Sequence, residues 1–432
     1  MQKSYRIGQN VICPMTRVSP TVLATSVSQA RRLMQHPSPP LATERYVRKS
    51  GCKNDRSFTT VLSRFIFLVS LALLLVTSTT AVIAQPIVVG RSLPLSGALQ
   101  SIGELKRDGG DAYIQKVNST GGVAGRKIEL VTLDDGYQAD STVANLRRMA
   151  SEHKPLAFLS LLRVPAVGNE IPLLDELKIP VVGIASATHL LRARHNRYGF
   201  PVRASVIDEG RELAKHLKVV GIERISIIFQ DVPLGYATRY SMDAGLSKMK
   251  LEASHFTLDA AGSQAVDVAS NAIQSNPQAI ILGVLTPAAA ALILELRKLS
   301  FSGSLYTFSS TDVVVLRKLV GDKAVGVAIS QIVPMSDGLR VKVVAEYIQA
   351  VKDLGKGSPT MLGLEGFLEA KVLVEGLRRC GSRPTTEGLV KALETLHDFD
   401  LGGFFVNYST QAHTGSFFVE IDMIGPGGKL MR

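Results

Sequence analysis

From residue 85 onward, short runs of apolar and often β-branched residues alternate with longer stretches in which apolar positions recur every three or four residues. The first runs are IVVG (87–90), IELVTL (128–133), AFLSLL (157–162) and IPVVGI (179–184). Between the second and third runs, Val143, Leu146 and Ala150 have the spacing of one helix face. This alternation predicts parallel sheets with crossover helices on both faces.

A second series of apolar runs follows further along the chain. Its members are RISIIF (224–229), LEASHFT (251–257), AIILGV (279–284), SLYTF (304–308) and VGVAISQIV (325–333). Helical spacing then returns at Phe367, Ala370, Val374 and Leu377, and residues 402–425 favour strands broken by glycine-containing turns. The chain has 432 residues, so the two series predict two α/β lobes of comparable size.

The N-terminal region has a different pattern. Residues 65–76 form an unbroken run of 12 apolar or small residues, preceded by Arg56 and Arg64 and followed by small residues up to Ala84. A basic region, an apolar core and small residues at the cut predict a secretory signal peptide over 56–84, cleaved after Ala84. A membrane span needs about 20 apolar residues, so the run is too short for an anchor.

Residues 1–55 precede this signal and show no sustained apolar period, so they are either a disordered extension or the product of a misassigned start. Cys13 and Cys52 lie before the predicted cleavage point, which leaves only Cys380 and therefore no internal disulfide in the exported chain. No cysteine follows the apolar core at a lipid-attachment position. We therefore expect a soluble, periplasmic protein.

Most of the net positive charge lies in residues 1–84, before the predicted cleavage point. The formal net charge is +12, but residues 1–84 hold 11 Lys/Arg and 2 Asp/Glu, a surplus of +9 that leaves only +3 for the rest of the chain. A net charge of +3 over the rest of the chain does not indicate the basic surface patch that binding to a phosphate backbone requires. Nucleic acid is therefore excluded as a partner.

The exported chain lacks the motifs that common hydrolytic, metal and nucleotide chemistry requires. It contains no G-x-S-x-G, H-E-x-x-H, C-x-x-C or G-x-x-x-x-G-K-[ST]. The glycine-rich segment 118–127 precedes a strand instead of opening a helix, which predicts a turn and not a phosphate cradle. These absences predict that the protein is not an enzyme and has no catalytic residue and no cofactor.

Two pairs of residues remain as candidates for metal binding or acid–base chemistry. His189 and His195 are six positions apart in an arginine-rich loop, whereas metal ligands are expected to converge from rigid elements. Asp134 and Asp135 are adjacent at a strand end, so their side chains point to opposite sides. We predict no metal site and no paired carboxylate site.

Seven segments, in this order and spacing, resemble the periplasmic substrate-binding proteins of ABC importers, in the group that includes the Leu/Ile/Val (branched-chain amino-acid) receptors. They are PLSGALQSIG (94–103), NSTGGVAGRKIELVTLDD (118–135), IPLLDELKIPVVGIASAT (171–188), RISIIFQDVPLG (224–235), AIILGV (279–284), SQIVP (330–334) and LEGFLEAKVLVEGLRR (364–379). The segments cover nearly the whole exported chain, so the resemblance concerns the complete fold.

The resemblance implies two doubly wound parallel-sheet lobes joined by three hinge crossovers, the type I periplasmic binding protein fold. Lobe 1 is expected to comprise 85–203 plus 334–402, and lobe 2 to comprise 204–333 plus 403–432. The implied function is capture of a small organic ligand, an amino acid or a carboxylate-bearing compound, and delivery to ABC permease subunits at the membrane by a monomer. The alternative is a ligand-binding sensor that feeds a membrane signalling partner.

Open parallel sheets bind ligands beyond the carboxyl ends of their strands, and the resemblance places the cleft there. The residues that we expect to line it are Gln100, Ile102, Arg163, Val164, Ala185, Ser186, Ala187, Leu234, Tyr236, Leu285 and Ser309.

Three positions depart from the pattern of amino-acid receptors. Ser309 stands where those receptors have an acidic side chain for the ligand ammonium, and Ala187 where a threonine holds the carboxylate. Asp312 replaces the missing acid only if its loop is shifted by about one helical turn. Arg163 offers a guanidinium for a bidentate pair with an anion. Our hypothesis is a small organic acid without an α-ammonium group.

Overall fold

The computed structural model describes residues 85–162, 170–185, 196–336 and 339–431. These residues belong to one compact unit that spans Ala81–Arg432. The predicted extension 1–55 and most of the predicted signal peptide 56–84 precede that unit, and both lie outside the described residues.

The described strands form two large sheets and a small one, and strand burial explains why the sequence runs are so apolar. In chain order the strands are β1 (Ile87–Leu93), β2 (Ile128–Asp134), β3 (Ala157–Leu161), β4 (Val181–Ile184), β5 (Gly199–Phe200), β6 (Ile225–Gln230), β7 (Ala253–Leu258), β8 (Ala279–Gly283), β9 (Ser304–Thr307), β10 (Val327–Gln331), β11 (Phe399–Asp400), β12 (Phe405–Tyr408), β13 (His413–Gly415), β14 (Glu420–Ile424) and β15 (Leu430–Met431). Every residue of β3, β4, β6, β8 and β10 is buried, as expected for strands covered on both faces.

Helices follow most of these strands and cover both faces of the large sheets. The described α-helices are α1 (Gln100–Ser119), α2 (Ala139–Glu152), α3 (Glu170–Leu177), α4 (Val206–Val219), α5 (Pro233–Lys248), α6 (Ala265–Gln274), α7 (Thr286–Lys298), α8 (Val313–Val320), α9 (Lys342–Leu354), α10 (Met361–Arg379) and α11 (Thr386–Leu393). None of the helices in the described part of the chain combines the length and apolarity needed to cross a membrane.

The two large sheets define two lobes. The lobe 1 sheet has the strand order β2-β1-β3-β4-β5 and all its pairs are parallel. The lobe 2 sheet has the order β15-β14-β10-β9-β8-β6-β7, in which β6 to β10 pair in parallel and β14 and β15 add antiparallel strands at one side. The prediction of two doubly wound α/β lobes is confirmed.

The chain crosses between the lobes at residues 201–205, between β10 and α9, and at residues 416–419. The first and third crossovers are joined, because the backbone N–H of Ser416 donates to the carbonyl of Val202 at 2.9 Å. The Tyr408 hydroxyl donates to the carbonyl of Pro201 at 2.9 Å. The first and third crossovers therefore lie side by side between the lobes and are held together by a backbone hydrogen bond.

The last part of the chain corrects the expected lobe boundary. The sequence suggested that lobe 2 resumes at 403, directly after the Gly402–Gly403 turn. Phe404, Val406 and Tyr408 are instead buried in the lobe 1 core with α9, α10 and α11. The chain returns to the lobe 2 sheet only at β14, because the apolar side chains of β12 complete the lobe 1 core first.

Candidate functional site

The expected cleft residues that the structure describes all lie at the carboxyl ends of parallel strands. In lobe 1, Gln100 and Ile102 occupy the first turn of α1 after β1, and Ala185 directly follows β4. In lobe 2, the corresponding positions are the first turn of α5, the N-cap of α7 and the residue pair after β9; they hold Leu234, Tyr236, Leu285 and Ser309. Each set thus lies at the edge of its sheet at which open parallel sheets commonly bind ligands.

Arg163, Val164, Ser186 and Ala187 lie outside the described residues, as do His189 and His195. Their expected roles stay predictions. The described neighbours Leu161 and Ala185 join β3 to β4 at this edge, because the N–H of Ala185 donates to the carbonyl of Leu161 at 2.9 Å.

Tyr236 presents an aromatic surface at the edge of lobe 2. Its side chain is 48% exposed, its ring lies 5.4 Å from that of Phe229, and its hydroxyl donates to Asp231 Oδ1 at 2.9 Å. Nearby, the N–H of Leu285 donates to Gln230 Oε1 at 3.0 Å. These contacts fix the two loop positions while leaving the ring and the Leu285 side chain only partly covered.

Ser309 belongs to a network of buried ions and is not an isolated hydroxyl. Arg203 Nη2 donates to Ser309 Oγ at 2.6 Å and lies 2.9 Å from Glu209 Oε1. The N–H and hydroxyl of Ser309 donate to Glu209 at 2.9 Å and 3.0 Å, and the Ser330 hydroxyl donates to the same carboxylate at 2.6 Å. The position that the resemblance assigns to an acid therefore has a carboxylate directly beside it, supplied by Glu209.

Local sequence explains how Glu209 reaches this place. Ser205 and Asp208 form a capping box at the start of α4, in which the Ser205 hydroxyl accepts from the N–H of Asp208 and the Asp208 carboxylate accepts from the N–H of Ser205. The box fixes the first turn of α4 immediately after the first crossover. Glu209 is consequently held, 1% exposed, against Ser330 of β10 and Ser309 of the segment after β9.

A second group of buried ions lies in lobe 1. Lys106 of α1 is fully buried, and its Nζ lies 2.8 Å from Glu365 Oε1 and 2.9 Å from Glu369 Oε1, both on α10. Only the contact with Glu365 has hydrogen-bond geometry. Glu369 Oε2 accepts from the Ser160 hydroxyl of β3 at 2.5 Å. The contacts of Lys106, Glu365, Glu369 and Ser160 therefore hold α1, α10 and the end of β3 together.

Burial and the shared lysine shift the pKa values of Glu365 and Glu369 in opposite directions. Burial, opposed by Lys106 and reinforced by Glu365, raises the pKa of Glu369 to about 7. Burial also opposes ionisation of Glu365, but Lys106 and Arg203 outweigh it and hold the pKa of Glu365 below its ordinary value. One lysine thus stabilises one ionised glutamate, and the second glutamate is the group that binds a proton.

Arg203 connects the two groups of ions. Its Nη1 lies 3.9 Å from Glu365 Oε1 in lobe 1, while its Nη2 contacts Glu209 and Ser309 in lobe 2. The first crossover therefore carries a guanidinium with a carboxylate of each lobe beside it. We call this set of residues the interlobe ion network: Ser160, Lys106, Glu369, Glu365, Arg203, Glu209, Ser309 and Ser330.

A cavity of about 190 Å³ lies against this network. Its walls come from the segment after β9, the second crossover, the start of α10 and the turn before β15; among them are Ser309, Asp312, Gln331, Thr360 and Glu365. We call it the hinge-side cavity. A volume near 150 Å³ accommodates a benzene-sized group, so this cavity has room for one small side chain of a ligand.

Two wall residues of the hinge-side cavity have polar groups whose hydrogen-bonding capacity is only partly satisfied within the described residues. Asp312 caps α8, because its Oδ1 accepts from the N–H of Val315 at 2.6 Å, and burial raises the pKa of its carboxyl group. Gln331 is 3% exposed and its Nε2 has no hydrogen-bond partner among the described residues. The wall can therefore offer both an acceptor and a donor to a bound molecule.

The acidic pair considered from sequence holds loops together. Asp134 Oδ1 accepts from the N–H groups of Leu95 and Gly136, whereas Asp135 accepts from the hydroxyls of Ser92 and Thr142. The two carboxylates have separate neighbours. Within the described residues, no group of three or more His, Cys, Asp or Glu side chains is arranged to hold a metal ion.

The family model of periplasmic binding proteins matches residues 86–424. The chain belongs to this family. A substrate-binding periplasmic protein from Ralstonia solanacearum is 30% identical, and the likeness covers 80% of this chain and 99% of that one with a TM-score of 0.73. The resemblance seen in the sequence is confirmed, and so is the prediction that the protein is not an enzyme, since this is a family of solute-binding receptors.

Other relatives of this periplasmic binding protein show how far the likeness extends. A possible leucine/isoleucine/valine-binding protein from Rhodopirellula baltica shares the fold, with a TM-score of 0.75 at 24% identity over 82% of this chain and 98% of that chain. An amino acid binding protein from Pseudomonas aeruginosa is 24% identical over 239 residues, 54% of this chain. The match spans only 62% of that relative's own length.

The sequence did not lead us to expect the buried charged side chains of this periplasmic binding protein. Lys106, Glu365 and Glu369 occur in helical segments, where charged side chains ordinarily face solvent. The available signal was the segment 364–379, in which two glutamates four residues apart lie among apolar residues. Such a pair shares one helix face, and on α10 that face is the buried one.

Proposed function

We propose that this chain is a periplasmic receptor that captures a small organic ligand, an amino acid or a carboxylate-bearing compound, between its two lobes and delivers it to ABC permease subunits. The observation that carries this proposal is the hinge-side cavity, whose walls come from both lobes and which adjoins the interlobe ion network. A ligand there contacts both lobes, so it favours the conformation in which the lobes are closed.

Closure follows from differential affinity. The three crossovers absorb the rotation between lobes. The closed state gains the contacts of the second lobe with the ligand, and only that gain shifts the equilibrium. Recognition of the closed form by membrane permease subunits then couples capture to transport, with ATP hydrolysis in a separate subunit.

Export is part of the proposal. The predicted signal peptide 56–84 directs the chain across the membrane and is removed after Ala84, which leaves a soluble monomer in the periplasm. The membership in a periplasmic binding protein family supports this location.

The ligand class follows from charge. The Glu209 carboxylate is already paired with Arg203 and bonded to two serine hydroxyls, so it has little left to offer a ligand ammonium. An ammonium desolvated without a partner costs several kcal/mol. Ammonium-free carboxylates therefore fit the region around Ser309 better, whereas Asp312 is the group that an amino acid would need.

The test is a binding screen on the exported chain. Leucine, valine, their deaminated analogues and aromatic acids are compared by thermal shift and calorimetry. A ligand at 100 times its dissociation constant stabilises the folded state by roughly 2.7 kcal/mol. Tight binding of leucine or valine with no binding of the deaminated acids contradicts the ammonium-free class, and no binding of any compound contradicts the receptor function.

A matched pair of variants locates the binding. Leu285→Asp puts a carboxylate at the N-cap of α7, next to Thr286, whose hydroxyl oxygen accepts from the N–H of Asp312 in the wall of the hinge-side cavity. Leu299→Asp makes the same change at the exposed C-cap of the same helix. Leu285→Asp is expected to weaken binding of an acidic ligand at least about tenfold, or 1.4 kcal/mol, and Leu299→Asp to leave it unchanged. Equal effects contradict the proposed location.

Delivery requires its own experiment, because a sensor also binds ligand. Uptake of the identified ligand is measured in cells with and without the gene. Loss of uptake supports transport. Unchanged uptake, together with loss of a transcriptional or motility response to the ligand, identifies the protein as a sensor for a membrane signalling partner.

A further inference from the structure

A second cavity lies wholly within lobe 1, away from the carboxyl ends of the strands. Its volume is about 360 Å³, and its walls come from α1, the start of α9, the second half of α10 and the β11 turn. Small-molecule sites in proteins occupy roughly 300–1,000 Å³. We call it the lobe 1 basic cavity, and its size alone is sufficient for a small organic molecule.

The cavity wall holds four cationic side chains and three carboxylates, which leaves one positive charge in excess. The cationic side chains around it are Lys116, Lys342, Lys371 and Arg378. A single carboxylate, Glu346, serves two of them: Lys116 Nζ lies 2.7 Å from its Oε1, and Lys371 contacts its Oε2. Burial works against ionisation of Glu346, yet the two lysines hold its pKa below the ordinary value. This cluster of three charges is therefore positive overall.

The other two carboxylates of the cavity are used elsewhere. Glu375 Oε1 lies 2.8 Å from Arg379 Nε, outside the cavity wall. Asp400 Oδ1 accepts from the N–H groups of Gly402 and Gly403 at 2.8 and 2.5 Å. Among the described residues, no carboxylate lies within ion-pair distance of Lys342 or Arg378. Arg378 has a side-chain hydrogen bond with Tyr113, but a guanidinium has five N–H donors, so it can still contact a bound anion together with Lys342.

Aromatic and aliphatic groups form the remaining surface. The Tyr113 ring, only 4% exposed as a residue, lies 5.7 Å from Lys371 Nζ. Phe399 borders the cavity from the opposite element, and Val117 and Leu401 fill the space between. Tyr113 is 4% exposed and Val117 and Leu401 are each 3% exposed, so Phe399 is the half-buried aromatic residue of the wall. Cations beside an aromatic ring suit an anion that carries a ring or a short hydrocarbon body.

We propose that the lobe 1 basic cavity is a second ligand site, which binds a small aromatic anion, with Lys342 and Arg378 holding the acidic group and Phe399 contacting the ring. The site is distinct from the cleft and uses no residue of the interlobe ion network. Because every wall belongs to lobe 1, the site exists whether the lobes are open or closed.

The test uses phenyl phosphate as the probe, titrated by calorimetry at low salt because exposed charges are screened within about 10 Å at 0.1 M salt. The expected dissociation constant is about 1 mM or lower. Inorganic phosphate, which lacks the ring, is expected to bind about tenfold more weakly, since aromatic contacts contribute about a tenfold change. Absence of phenyl phosphate binding overturns the proposal.

Variants identify the site. Lys342→Gln/Arg378→Gln is expected to weaken phenyl phosphate binding at least about tenfold, in line with the loss of two charge-assisted bonds. The control is Lys352→Gln, at the exposed last turn of the same helix α9 and outside the cavity, with an expected change below about twofold. Both are surface changes, and an unaltered melting temperature verifies folding. Equal binding by the double variant and the wild type overturns the proposal.

The cleft variant separates this inference from the proposed function. Leu285→Asp, which acts beside the wall of the hinge-side cavity, is expected to leave phenyl phosphate binding unchanged. Loss of binding in Leu285→Asp shows that the probe occupies the cleft, and it then overturns the second site while leaving the receptor function intact.

Discussion

Arg203 Nη2 lies 2.9 Å from Glu209 Oε1, so the first crossover is held to the first turn of α4 by an ion pair whose side chains are 11% and 1% exposed. Breaking a buried pair by removing one partner costs about 3–5 kcal/mol, because the other charge stays buried without compensation. Arg203→Gln is therefore expected to lower the free energy of unfolding by that amount in urea denaturation.

Two comparisons distinguish this pair from a surface contact. Arg203→Gln/Glu209→Gln removes both charges and is expected to recover much of the loss. Arg148→Gln, which breaks a pair with Glu152 that is more than half exposed on both sides, is expected to cost less than about 1 kcal/mol. A cost for Arg203→Gln no larger than that of Arg148→Gln contradicts the interpretation.

Glu369 gives the protein a pH dependence with a defined sign. Because burial raises its pKa to about 7, from 4.5 in the reference state, the folded state binds this proton more tightly than the unfolded state. Its contribution to stability is therefore complete below pH 4.5 and is lost as the pH rises through 7, by at most about 1.4 kcal/mol per pH unit.

The variant Glu369→Gln isolates this contribution. Glutamine keeps an oxygen for the Ser160 hydroxyl but does not titrate, so its unfolding free energy is expected to lack the decline between pH 5 and 7.5 that the wild type shows. Urea denaturation of both proteins at several pH values measures the difference. Parallel profiles would show that Glu369 has an ordinary pKa.

Asp312 has separable structural and ligand-binding roles. Its carboxyl group caps α8 through the N–H of Val315, and asparagine retains that acceptor. Asp312→Ala is expected to cost about 1 kcal/mol and Asp312→Asn much less. Thr385→Ala, which removes the equivalent cap of α11, is the matched control for the cost of a lost cap in thermal unfolding.

The same substitution tests the ligand class. If amino acids bind, Asp312→Asn is expected to weaken them at least about tenfold, because a buried ammonium loses its counter-charge. Ammonium-free acids are expected to bind equally well or better. Calorimetry with leucine and its deaminated analogue makes the comparison, and equal losses for both ligands would exclude Asp312 as an ammonium partner.

Gly183 of β4 is required by the buried glutamate beside it. Its φ is +82°, and a Cβ there would lie 2.2 Å from Cδ of Glu369. Gly183→Ala is expected to cost about 3 kcal/mol or more, from overpacking together with backbone strain. Gly381 has a similar φ of +75° but nothing within 4 Å of the added atom, so Gly381→Ala is expected to cost about 1 kcal/mol. Equal melting temperatures of the two variants contradict the packing argument.

The fold was predictable because its signal repeats along the chain. Each apolar run from 87–90 onward corresponds to a strand, and β3, β4, β6, β8 and β10 are buried along their whole length. The alternation of apolar runs with helical stretches can be recognised without knowledge of distant contacts. The lobe boundary was not predictable in the same way. Gly402 and Gly403 mark a turn, but only the tertiary packing of Val406 and Tyr408 shows which core the following strand completes.

The place of Ser309 in the fold was predictable from the sequence, whereas its charged neighbours were not. Ser309 was expected after β9, where it is found. It was interpreted as a hydroxyl that replaces an acidic side chain, whereas the carboxylate of Glu209 lies beside it. Glu209 lies 100 residues earlier in the chain, and nothing local indicates that it meets Ser309. Likewise, Lys106 and Glu365 are 259 residues apart, and only close packing of α1 on α10 makes them partners.

The lobe 2 sheet takes β14 from a stretch that follows the whole of α9, α10 and α11, which belong to lobe 1. Neither half can therefore be excised from the gene as one uninterrupted stretch. During translocation, lobe 2 cannot acquire its full sheet until 420–424 has emerged on the far side. A proteolytic nick in any crossover would leave two fragments that must stay associated to keep either half assembled.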